Sequence, residues 1–432
     1  MNYRIFPPLD LPEATIALPL SKSVSNRALI INAFTPGATP LTEVAHCSDT
    51  QAMTTALASE TDDINVGGAG TAMRFLTAYF ASQPGRTVTL DGDERMRQRP
   101  IAPLVTALRL CGAKIDYMGA EGFPPLRIHG TTLSGGSLNI DASISSQFIS
   151  ALLMAAPLMS DGLHLTLDGD ISSAPYIDLT LHLMRMAGVD AERERNEITV
   201  AHGQYSPASL PAEADWSAAS YWYEIEALTS GFISLRGLDQ ESRQPDRAVS
   251  RIYESLGVVT DTEGEEPGCI DLMASPDLSP RLIIDLSDTP DLTQTIAVTC
   301  AMAGIPFRLT GLASLKIKET DRLAALQTEL LKVGVSVNIT GDHTMEWDGR
   351  RLPIASLPEF DTYGDHRMAL ALAPVAIYIP GIVIRDAEVV GKSYPEYWKH
   401  LSEAGFKIID GDIPLEQLRA AGDTEDEEDN DR

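Results

Sequence analysis

Lysine and arginine side chains recur where the sequence predicts that helices begin. Lys22 and Arg27 lie in the first turns of SKSVSNRALIINAF, and Arg74 follows the glycine-rich turn GGAGTAM. Lys318 and Arg322 stand four residues apart at the start of KIKETDRLAALQTELLKVG. Acidic residues normally occupy such positions, because a helix N-terminus has unpaired N–H groups and a positive dipole end. The repeated placement of cations there predicts helix ends that bind a polyanion.

Two further segments carry polar side chains at predicted helix starts. Asp365 fits the N-cap of a helix that begins with His366 and Arg367, and Ser145 and Ser146 stand at the cap of ISSQFISALLMAAP. Each feature alone is more often structural: a surface charge, an ordinary N-cap or a core histidine. Their combination favours a cationic cleft for an anionic ligand, formed where several helix starts converge.

The glycine-rich turn does not match the common nucleotide-binding motifs. GGAGTAMR lacks the GK[ST] of a Walker A loop, and Met73 stands where GxGxxG needs its third glycine. No second histidine stands at metal-ligand spacing on the helix of His366. These segments therefore signal neither a nucleotide nor a metal.

The overall charge limits the classes of partner. The chain has 432 residues, with 33 Lys and Arg against 61 Asp and Glu and a formal net charge of −28. This balance disfavours nucleic acid and anionic membrane surfaces, because both need a basic protein face. A small anionic substrate remains compatible, since local charge in a cleft can oppose the net charge.

The sequence indicates a cytoplasmic protein. Its four cysteines lie far apart and form no CxxC pair, which argues against a disulfide framework or a zinc site. The N-terminal MNYRIFPPLD lacks the basic and apolar regions of a secretory signal. The most apolar run, residues 369–384, contains Pro374, Pro380 and Gly381. It predicts a buried helix and strand rather than a membrane span.

A recurring phrase indicates internal repeats. An apolar helix end, a glycine and a β-like run occur at spacings of 69 to 77 residues around Gly112, Gly188, Gly257, Gly334 and Gly405. Glycine after the last helical turn is the left-handed C-cap. Short β-branched runs alternate with helices, so the predicted fold class is α/β (α+β). With a degraded copy at residues 54–66, six units of about 70 residues would fill the chain.

The six units divide into two sets of three. The Pro/Ser/Ala-rich stretch 203–214 separates repeat-like segments and is the predicted boundary. Residues 421–432 carry seven acids and no apolar anchor beyond Ala421, which predicts a disordered tail. Glu224 and Glu226 stand in an otherwise apolar predicted helix, and no feature of the sequence explains them.

Eight ordered motifs give the chain a family resemblance. They are KSVSNRA, GGAGTAMRFL, RMRQRPI, SSQF, APYIDLTL, IKETDRLAALQTEL, TYGDHRMALALA and GKSYPEYW. In this order, over about residues 15–405, they resemble the motifs of the 5-enolpyruvylshikimate-3-phosphate synthase family of enolpyruvyl transferases.

The resemblance implies two domains, each with three βαβαββ units around a pseudo-threefold axis, and an active site in the interdomain cleft. One domain would span residues 20–213 and the other residues 1–19 plus 214–413. Residues 414–432 would form the acidic tail. The family requires no metal or organic cofactor, and its members are by default monomers.

The resemblance also assigns site residues by their place in the motifs. The phosphoenolpyruvate pocket would be Lys22, Gly70, Arg99, Gln147, Arg322, Arg367 and Lys392. Shikimate 3-phosphate would be held by Ser23, Arg27, Ser145, Ser146, Gln147, Ser173, Tyr176, Asp291 and Lys318. The acid/base groups would be Lys22, Asp291, Glu319 and His366.

The implied reaction moves the enolpyruvyl group of phosphoenolpyruvate to the 5-hydroxyl of shikimate 3-phosphate and releases phosphate, as in chorismate and aromatic amino-acid biosynthesis. Asp291 would take the hydroxyl proton, Glu319 would exchange the proton at C3, and Lys22 would assist the leaving phosphate. A carboxylic acid that protonates carbon needs a raised pKa. Because nearby Lys318 and Arg322 lower that pKa, the sequence leaves the protonation state of Glu319 open.

Three other functions compete with this prediction. The sister family, which transfers enolpyruvyl to UDP-N-acetylglucosamine, carries a catalytic cysteine where GDERMRQRPI has none, and Cys111 lies on the following helix. A non-catalytic anion-binding protein on the same fold predicts loss of an acid/base residue, yet all four remain. A phosphosugar-binding transport or sensor module would need a signal peptide or a partner domain.

Overall fold

The computed structural model describes residues 1–143, 145–263 and 268–413. The predicted tail, residues 414–432, lies outside the described residues. The helices of the described part are α1 (Lys22–Phe34), α2 (Ser48–Ala58), α3 (Gly70–Ala81), α4 (Ala102–Leu110), α5 (Ser146–Ala155), α6 (Ala174–Met186), α7 (Trp216–Thr229), α8 (Val249–Glu254), α9 (Thr293–Ala303), α10 (Arg322–Lys332), α11 (His366–Leu372) and α12 (Tyr397–Glu403).

The strands of the described part form five four-stranded sheets, which confirms the α/β class. One sheet contains β1 (Tyr3–Phe6), β18 (Glu359–Phe360), β19 (Ile382–Ile384) and β20 (Lys407–Asp410). A second contains β2 (Glu13–Ala17), β11 (Phe232–Arg236), β12 (Leu256–Asp261) and β13 (Cys269–Leu278). The others are β3 (Asp63–Asn65), β4 (Thr87–Asp91), β5 (Lys114–Tyr117) and β6 (Leu126–His129); β7 (Gly136–Asp141), β8 (Leu163–Asp168), β9 (Ala191–Glu194) and β10 (Glu197–Val200); and β14 (Leu282–Asp285), β15 (Phe307–Thr310), β16 (Asn338–Thr340) and β17 (Thr344–Trp347).

All five sheets share one topology. A parallel pair of strands is joined through a helix, a second helix follows, and two antiparallel strands complete the sheet, as in β3-β4-β6-β5. The sheet that contains β1 closes in the same way, with β1 between β19 and β20. The described residues therefore hold five sheets of the βαβαββ pattern that the resemblance implies.

The sixth predicted copy differs from the others. Helices α1 and α2 pack against each other and against α3, but the described residues between them form no strand. Pro36 and Pro40 interrupt this segment, and proline supplies no N–H to a strand ladder. The β-like run at the end of residues 54–66 forms β3, which belongs to the next sheet.

The five repeat glycines adopt the predicted conformation. Gly112, Gly188, Gly257, Gly334 and Gly405 have φ angles between 78° and 95°. These angles lie in the region that glycine enters without Cβ strain. Four of these glycines therefore end a helix and lead the chain into the next strand, and Gly257 lies at the irregular start of β12.

Buried apolar side chains form two separate cores. One contains residues from Val24 to Tyr205, and we call the elements around it the inserted half. The other contains residues from Ile5 to Leu18 and from Ala214 to Phe406, and we call its elements the terminal half. The chain thus begins in the terminal half, builds the inserted half and returns.

The two passages between the halves run side by side. Leu20 and Ala214 form an antiparallel bridge. Backbone bonds flank it, from Ser21 N to Glu213 O at 2.8 Å and from Asp215 N to Pro19 O at 2.9 Å. A short two-chain ribbon therefore joins the halves beside the cavity described below.

The structure shows the conformation of two segments that were singled out in the sequence. Residues 369–384 form most of α11, a 3-10 turn and β19, as predicted, and none of the described helices has the length and apolarity to cross a membrane. Glu224 and Glu226 are fully buried in α7, and burial raises the pKa of Glu226 to about 7 and that of Glu224 well above its usual value. No contact in the described residues explains why these positions are acidic.

Candidate active site

A cavity lies between the two halves, where the N-terminal ends of eight described helices converge. The starts of α1, α2, α3, α5 and α6 reach it from the inserted half, and those of α7, α10 and α11 from the terminal half. Sixteen of the seventeen predicted site residues line it: Lys22, Ser23, Arg27, Gly70, Arg99, Ser145, Ser146, Gln147, Ser173, Tyr176, Asp291, Lys318, Glu319, Arg322, His366 and Arg367. The cations at helix starts thus converge, as the sequence predicts.

Arg322 is the most heavily paired cation of the cavity. Asp321 caps α10, its carboxylate accepting from Ala324 N at 3.2 Å, and thereby places Arg322 at the first position of the helix. The guanidinium donates to Asp365 at 2.6 Å, to Asp291 at 2.8 Å and to Glu319 at 2.9 Å. Only 1% of Arg322 is exposed, so these charge-assisted bonds act in a medium of low dielectric.

Asp291 receives three cations. Besides Arg322, Arg367 donates to it at 3.1 Å and the Lys318 ammonium lies 3.4 Å away. Burial alone would raise the pKa of Asp291, but the charges of Arg367, Lys318 and Arg322 outweigh it and hold that pKa well below its usual value. Asp291 is therefore a carboxylate that can accept a proton.

Glu319 lies between two guanidinium groups. It accepts from Arg322 at 2.9 Å, and its other oxygen is 3.7 Å from Arg99 Nη1. Burial raises the pKa of Glu319, yet Arg322 and Arg99, with smaller contributions from His366 and Lys22, bring it well below its usual value. The charges of the two guanidinium groups therefore favour the ionised form of Glu319.

Lys22 is held by an acid that sequence reasoning missed. Ser21 caps α1, and the Lys22 ammonium donates to Asp49 at 3.1 Å. Burial lowers the pKa of Lys22, but Asp49 more than compensates and the pKa is raised above its usual value. Lys22 is therefore a stable cation beside Asp49, and the only sequence signal for Asp49 was its place in the first turn of α2.

His366 is buried and neutral. Only 2% of it is exposed, and both ring nitrogens lack a hydrogen-bond partner among the described residues. Burial, followed by the charges of Lys22 and Arg367, holds its pKa well below the usual value. The imidazole therefore carries no charge at neutral pH, and its assignment as an acid/base group stays a prediction.

Arg27 is held by neutral groups only within the described residues. Its guanidinium donates to Thr180 Oγ1 at 2.7 Å, to Ser23 O at 2.9 Å and to Ser150 Oγ at 3.4 Å. The ring of Tyr176 lies 5.6 Å from its central carbon. Burial lowers the pKa of Arg27 to about 10. An anionic ligand would supply the negative charge that these neighbours do not.

Gly70 allows two guanidinium groups to approach the start of α3. A Cβ at this position would lie 2.7 Å from Arg99 Nη1 and 3.0 Å from Arg74 Nη1. Arg74 donates to the Gly70 carbonyl at 3.0 Å, and burial, followed by Arg99, holds its pKa well below the usual value. Arg74 was missed as a site residue, although it stands one helical turn after Gly70.

The remaining polar residues of the inserted half are positioned by caps and turns. Ser145 caps α5, its hydroxyl accepting from Gln147 N at 3.3 Å, and the Gln147 amide donates to Thr71 at 3.3 Å. Ser173 has a φ angle of 57° and donates its N–H to the Ser287 carbonyl at 2.9 Å. This left-handed residue starts α6 and connects it to the terminal half.

Lys392 is the exception among the predicted residues. It ends a 3-10 turn, and its ammonium donates to the Gly364 carbonyl at 2.9 Å. It lines an adjacent groove with Asp49 and Gly68, whereas its neighbour Ser393 lines the central cavity. The bond to Gly364 therefore keeps the Lys392 ammonium outside the cluster that the sequence predicts.

Two buried acids of the terminal half were not foreseen. Asp215 caps α7 and lines the cavity, and Asp246 accepts a short hydrogen bond from Ser217. Burial raises the pKa of Asp246 to about 6, against the opposing charge of Arg367. No local sequence pattern marks the Ser217–Asp246 pair, because Asp246 lies 29 residues after Ser217 in the chain.

Comparisons with known proteins agree with this arrangement. Residues 57–401 match the family model described as EPSP synthase (3-phosphoshikimate 1-carboxyvinyltransferase). A curated 3-phosphoshikimate 1-carboxyvinyltransferase of Bacteroides fragilis strain YCH46 is 48% identical over 414 residues, covering 95% of this chain and 100% of the relative. One of Pectobacterium atrosepticum is 36% identical, covering 91% and 97%.

A solved structure shows the same fold. An EPSP synthase from Acinetobacter baumannii superimposes with a TM-score of 0.74, covering 95% of this chain and 100% of its own at 22% identity. At this identity the likeness concerns the fold alone. The sheets and helices described above are thus those of a solved protein architecture.

Proposed function

The chain belongs to the EPSP synthase family of enzymes, and from this premise we propose that it transfers the enolpyruvyl group of phosphoenolpyruvate to the 5-hydroxyl of shikimate 3-phosphate. One observation carries the assignment to the cavity: a single guanidinium, Arg322, bonds the two carboxylates Asp291 and Glu319. The reaction needs one proton acceptor for a hydroxyl and another group that exchanges a proton at carbon. Two carboxyl groups within reach of the same cation can supply both.

The two substrates would occupy different sides of the cavity. Phosphoenolpyruvate would lie against Arg99, Gly70 and Arg367, where two guanidinium groups can pair with carboxylate and phosphate oxygens. Shikimate 3-phosphate would place its phosphate on Arg27 and the serines at the starts of α5 and α6. The neutral surroundings of Arg27 support this choice, because no carboxylate among its described neighbours balances its charge.

The proposed reaction has two steps. Asp291 accepts the 5-hydroxyl proton while the oxygen bonds to C2 of phosphoenolpyruvate, and the electron pair of the C2–C3 double bond takes a proton at C3 from the protonated form of Glu319. The C2–O bond to phosphate then breaks, and the Glu319 carboxylate takes a proton back from C3 as the double bond returns. The proton held by Asp291 leaves with the released phosphate, so the carboxyl groups end the cycle as they began it. Lys22, kept cationic by Asp49, stabilises the leaving phosphate.

The domain assignment completes the proposal. Residues 20–213 would form one domain, and residues 1–19 with 214–413 the other, and the memberships of the two buried cores support this division. Because cavity residues come from both halves, shikimate 3-phosphate would draw the halves together before phosphoenolpyruvate binds. Small-angle scattering that detects no compaction on adding shikimate 3-phosphate would contradict this closure.

The test is phosphate release from phosphoenolpyruvate with shikimate 3-phosphate. We expect release that requires both substrates and falls about 10³-fold in Glu319→Gln, since that variant cannot exchange the C3 proton. Glu346→Gln is the matched control, because Glu346 pairs with Arg308 on the surface. Release with UDP-N-acetylglucosamine instead would assign the chain to the sister activity. No release with either acceptor would leave a binding protein.

A further inference from the structure

Arg95 reaches across the cavity's edge from the inserted half to the terminal half. It lies just before the 3-10 turn Met96–Gln98, in the segment that connects β4 to α4. Its Nε donates to the Glu319 carbonyl at 3.0 Å, and its Nη2 donates to the Lys318 carbonyl at 3.1 Å. We propose that Arg95 is a positioning residue that sets the Lys318–Glu319 backbone for catalysis when the halves close, an inference that depends on the proposed function.

Arg95 is itself fixed in the inserted half. Asp93 accepts from Met96 N at 2.7 Å, and the Asp93 carbonyl accepts from Arg97 N at 3.1 Å. Met96 is buried in the core of the inserted half, with 1% exposed. These contacts fix the backbone on both sides of Arg95, so its half-buried side chain projects from a well-supported turn.

The segment that Arg95 binds is irregular. Residues 318–321 connect the 3-10 turn Ala313–Ile317 to α10 and form bends rather than helix or strand. Arg95 is the donor seen at both the Lys318 and the Glu319 carbonyl within the described residues. This backbone is not part of a helix or a sheet, so its position depends on the groups that bond to its carbonyls. The two bonds from Arg95 therefore help to set the directions of the Lys318 and Glu319 side chains.

Lys318 and Glu319 are the side chains of this segment that the proposed reaction uses. The Lys318 ammonium lies 3.4 Å from Asp291, and the Glu319 carboxylate contacts Arg322 and Arg99. Arg99 also reaches Glu319 from the inserted half, but it does so through the carboxylate that must exchange a proton. Within the part of the chain that the structure describes, the recorded partners of Arg95 are carbonyl oxygens, so it leaves the Glu319 carboxylate available throughout the reaction.

The geometry explains why arginine stands at this position. Two N–H groups of one planar guanidinium meet two successive carbonyls, whereas a lysine ammonium carries no such fork. The acceptors and the donor lie 223 and 224 residues apart in the chain, on opposite sides of the cleft. The bonds therefore join the two halves directly across the cleft.

The experiment compares Arg95→Ala, Arg95→Lys and Arg97→Ala in the full-length chain. Arg97 is two residues away and exposed, and its guanidinium pairs with Asp91 on the same half, so it is a matched control. We expect kcat to fall roughly tenfold to hundredfold in Arg95→Ala, because small misplacements of catalytic groups have effects of this size. Arg95→Lys should recover part of the rate, and Arg97→Ala should keep the wild-type rate.

Further readouts separate positioning from a general structural role. The KM for phosphoenolpyruvate should change less than kcat, and millimolar guanidinium should restore part of the Arg95→Ala rate. Wild-type kcat in Arg95→Ala would overturn the proposal, and so would an equal loss in Arg97→Ala. If Arg95→Ala does not fold, Arg95→Lys decides the matter, since a rate equal to wild type would show that the paired bonds are dispensable. Absence of phosphate release in wild type would refute the proposed function instead.

Discussion

Four of the five arginines that line the cavity in the described residues fall into two groups that differ in what holds them. The fifth, Arg99, belongs to the inserted half and lies 3.7 Å from Glu319 of the terminal half. Arg322 and Arg367, in the terminal half, are bonded to carboxylates, which raise their pKa values despite burial. Arg27 and Arg74, in the inserted half, are bonded to hydroxyls, carbonyls and a thioether, and burial lowers their pKa values. The first group is neutralised before any ligand arrives, and the second is not.

This difference separates two tasks. A buried cation without a counter-charge is costly, and a bound anion removes that cost. Arg27 and Arg74 are therefore suited to attract the phosphate and carboxylate groups of substrates. Arg322 bonds the carboxylates of Asp291 and Glu319, and Arg367 bonds that of Asp291, so both also favour the ionised form of the acids that we propose exchange protons.

The largest expected effect on stability comes from replacing Arg322, one of the arginines that are bonded to carboxylates. Arg322→Gln leaves the buried Asp365 carboxylate without a cationic partner among the described residues, and it removes one of the cations that contact Asp291 and Glu319. We expect the free energy of unfolding to fall by about 3–5 kcal/mol, because removing one partner leaves uncompensated buried charges. Urea unfolding measures this loss, and phosphate release should fall with it.

The control for Arg322 is Arg308, which pairs with Glu346 at the surface. Arg308→Gln should alter the free energy of unfolding by no more than about 1 kcal/mol, as is usual for exposed ion pairs. A loss in Arg322→Gln no larger than that in Arg308→Gln would contradict the orienting role assigned to the buried cation.

A smaller and more selective effect is expected for the neutral-held group. Arg27→Gln removes a charge that no carboxylate among the described residues balances, so stability should change little. The KM for shikimate 3-phosphate should rise roughly tenfold to hundredfold, which corresponds to one charged hydrogen bond. Steady-state kinetics with each substrate varied in turn provide the measurement. A stability loss as large as that of Arg322→Gln would erase the distinction between the two groups.

The smallest effect concerns pH and His366. Its pKa is lower in the folded protein than in the unfolded chain, so the unfolded chain binds more protons below about pH 6.5. Stability should therefore fall as pH decreases from that value toward the folded-state pKa. His366→Gln should remove this part of the dependence in urea unfolding series at several pH values. An unchanged slope in the variant would show that His366 is not buried as a neutral ring.

The sequence predicts this site well where the signal is local. Helix starts, N-caps such as Asp365 and the glycine turns depend on a few neighbouring residues, and the structure confirms them. Asp49 and Asp246 were missed because their partners lie 27 and 29 residues away, so no local pattern marks the pairing. Lys392 lies outside the cavity for the same reason, since the carbonyl that binds it belongs to Gly364.

For the fold, too, the sequence predicts the features that depend on local patterns and misses one that does not. The repeat and the α/β class follow from periodicity and glycine spacing, whereas the sheetless first copy does not. Its helices α1 and α2 have the predicted character, but the absence of a strand between them in the described residues depends on which neighbours could pair with it. Such pairing is a property of the assembled half rather than of the segment.

The position of the first two strands has a consequence for biosynthesis. β1 lies between β19 and β20, and β2 pairs with β11, so the first residues synthesised find their partners only after the inserted half has been made. On the ribosome, the strands within residues 1–18 cannot pair until more than half of the chain has emerged. The inserted half needs no such delay, because its sheets use strands within residues 63–200. Folding during translation is therefore expected to start in the middle of the chain and to finish with its two ends together.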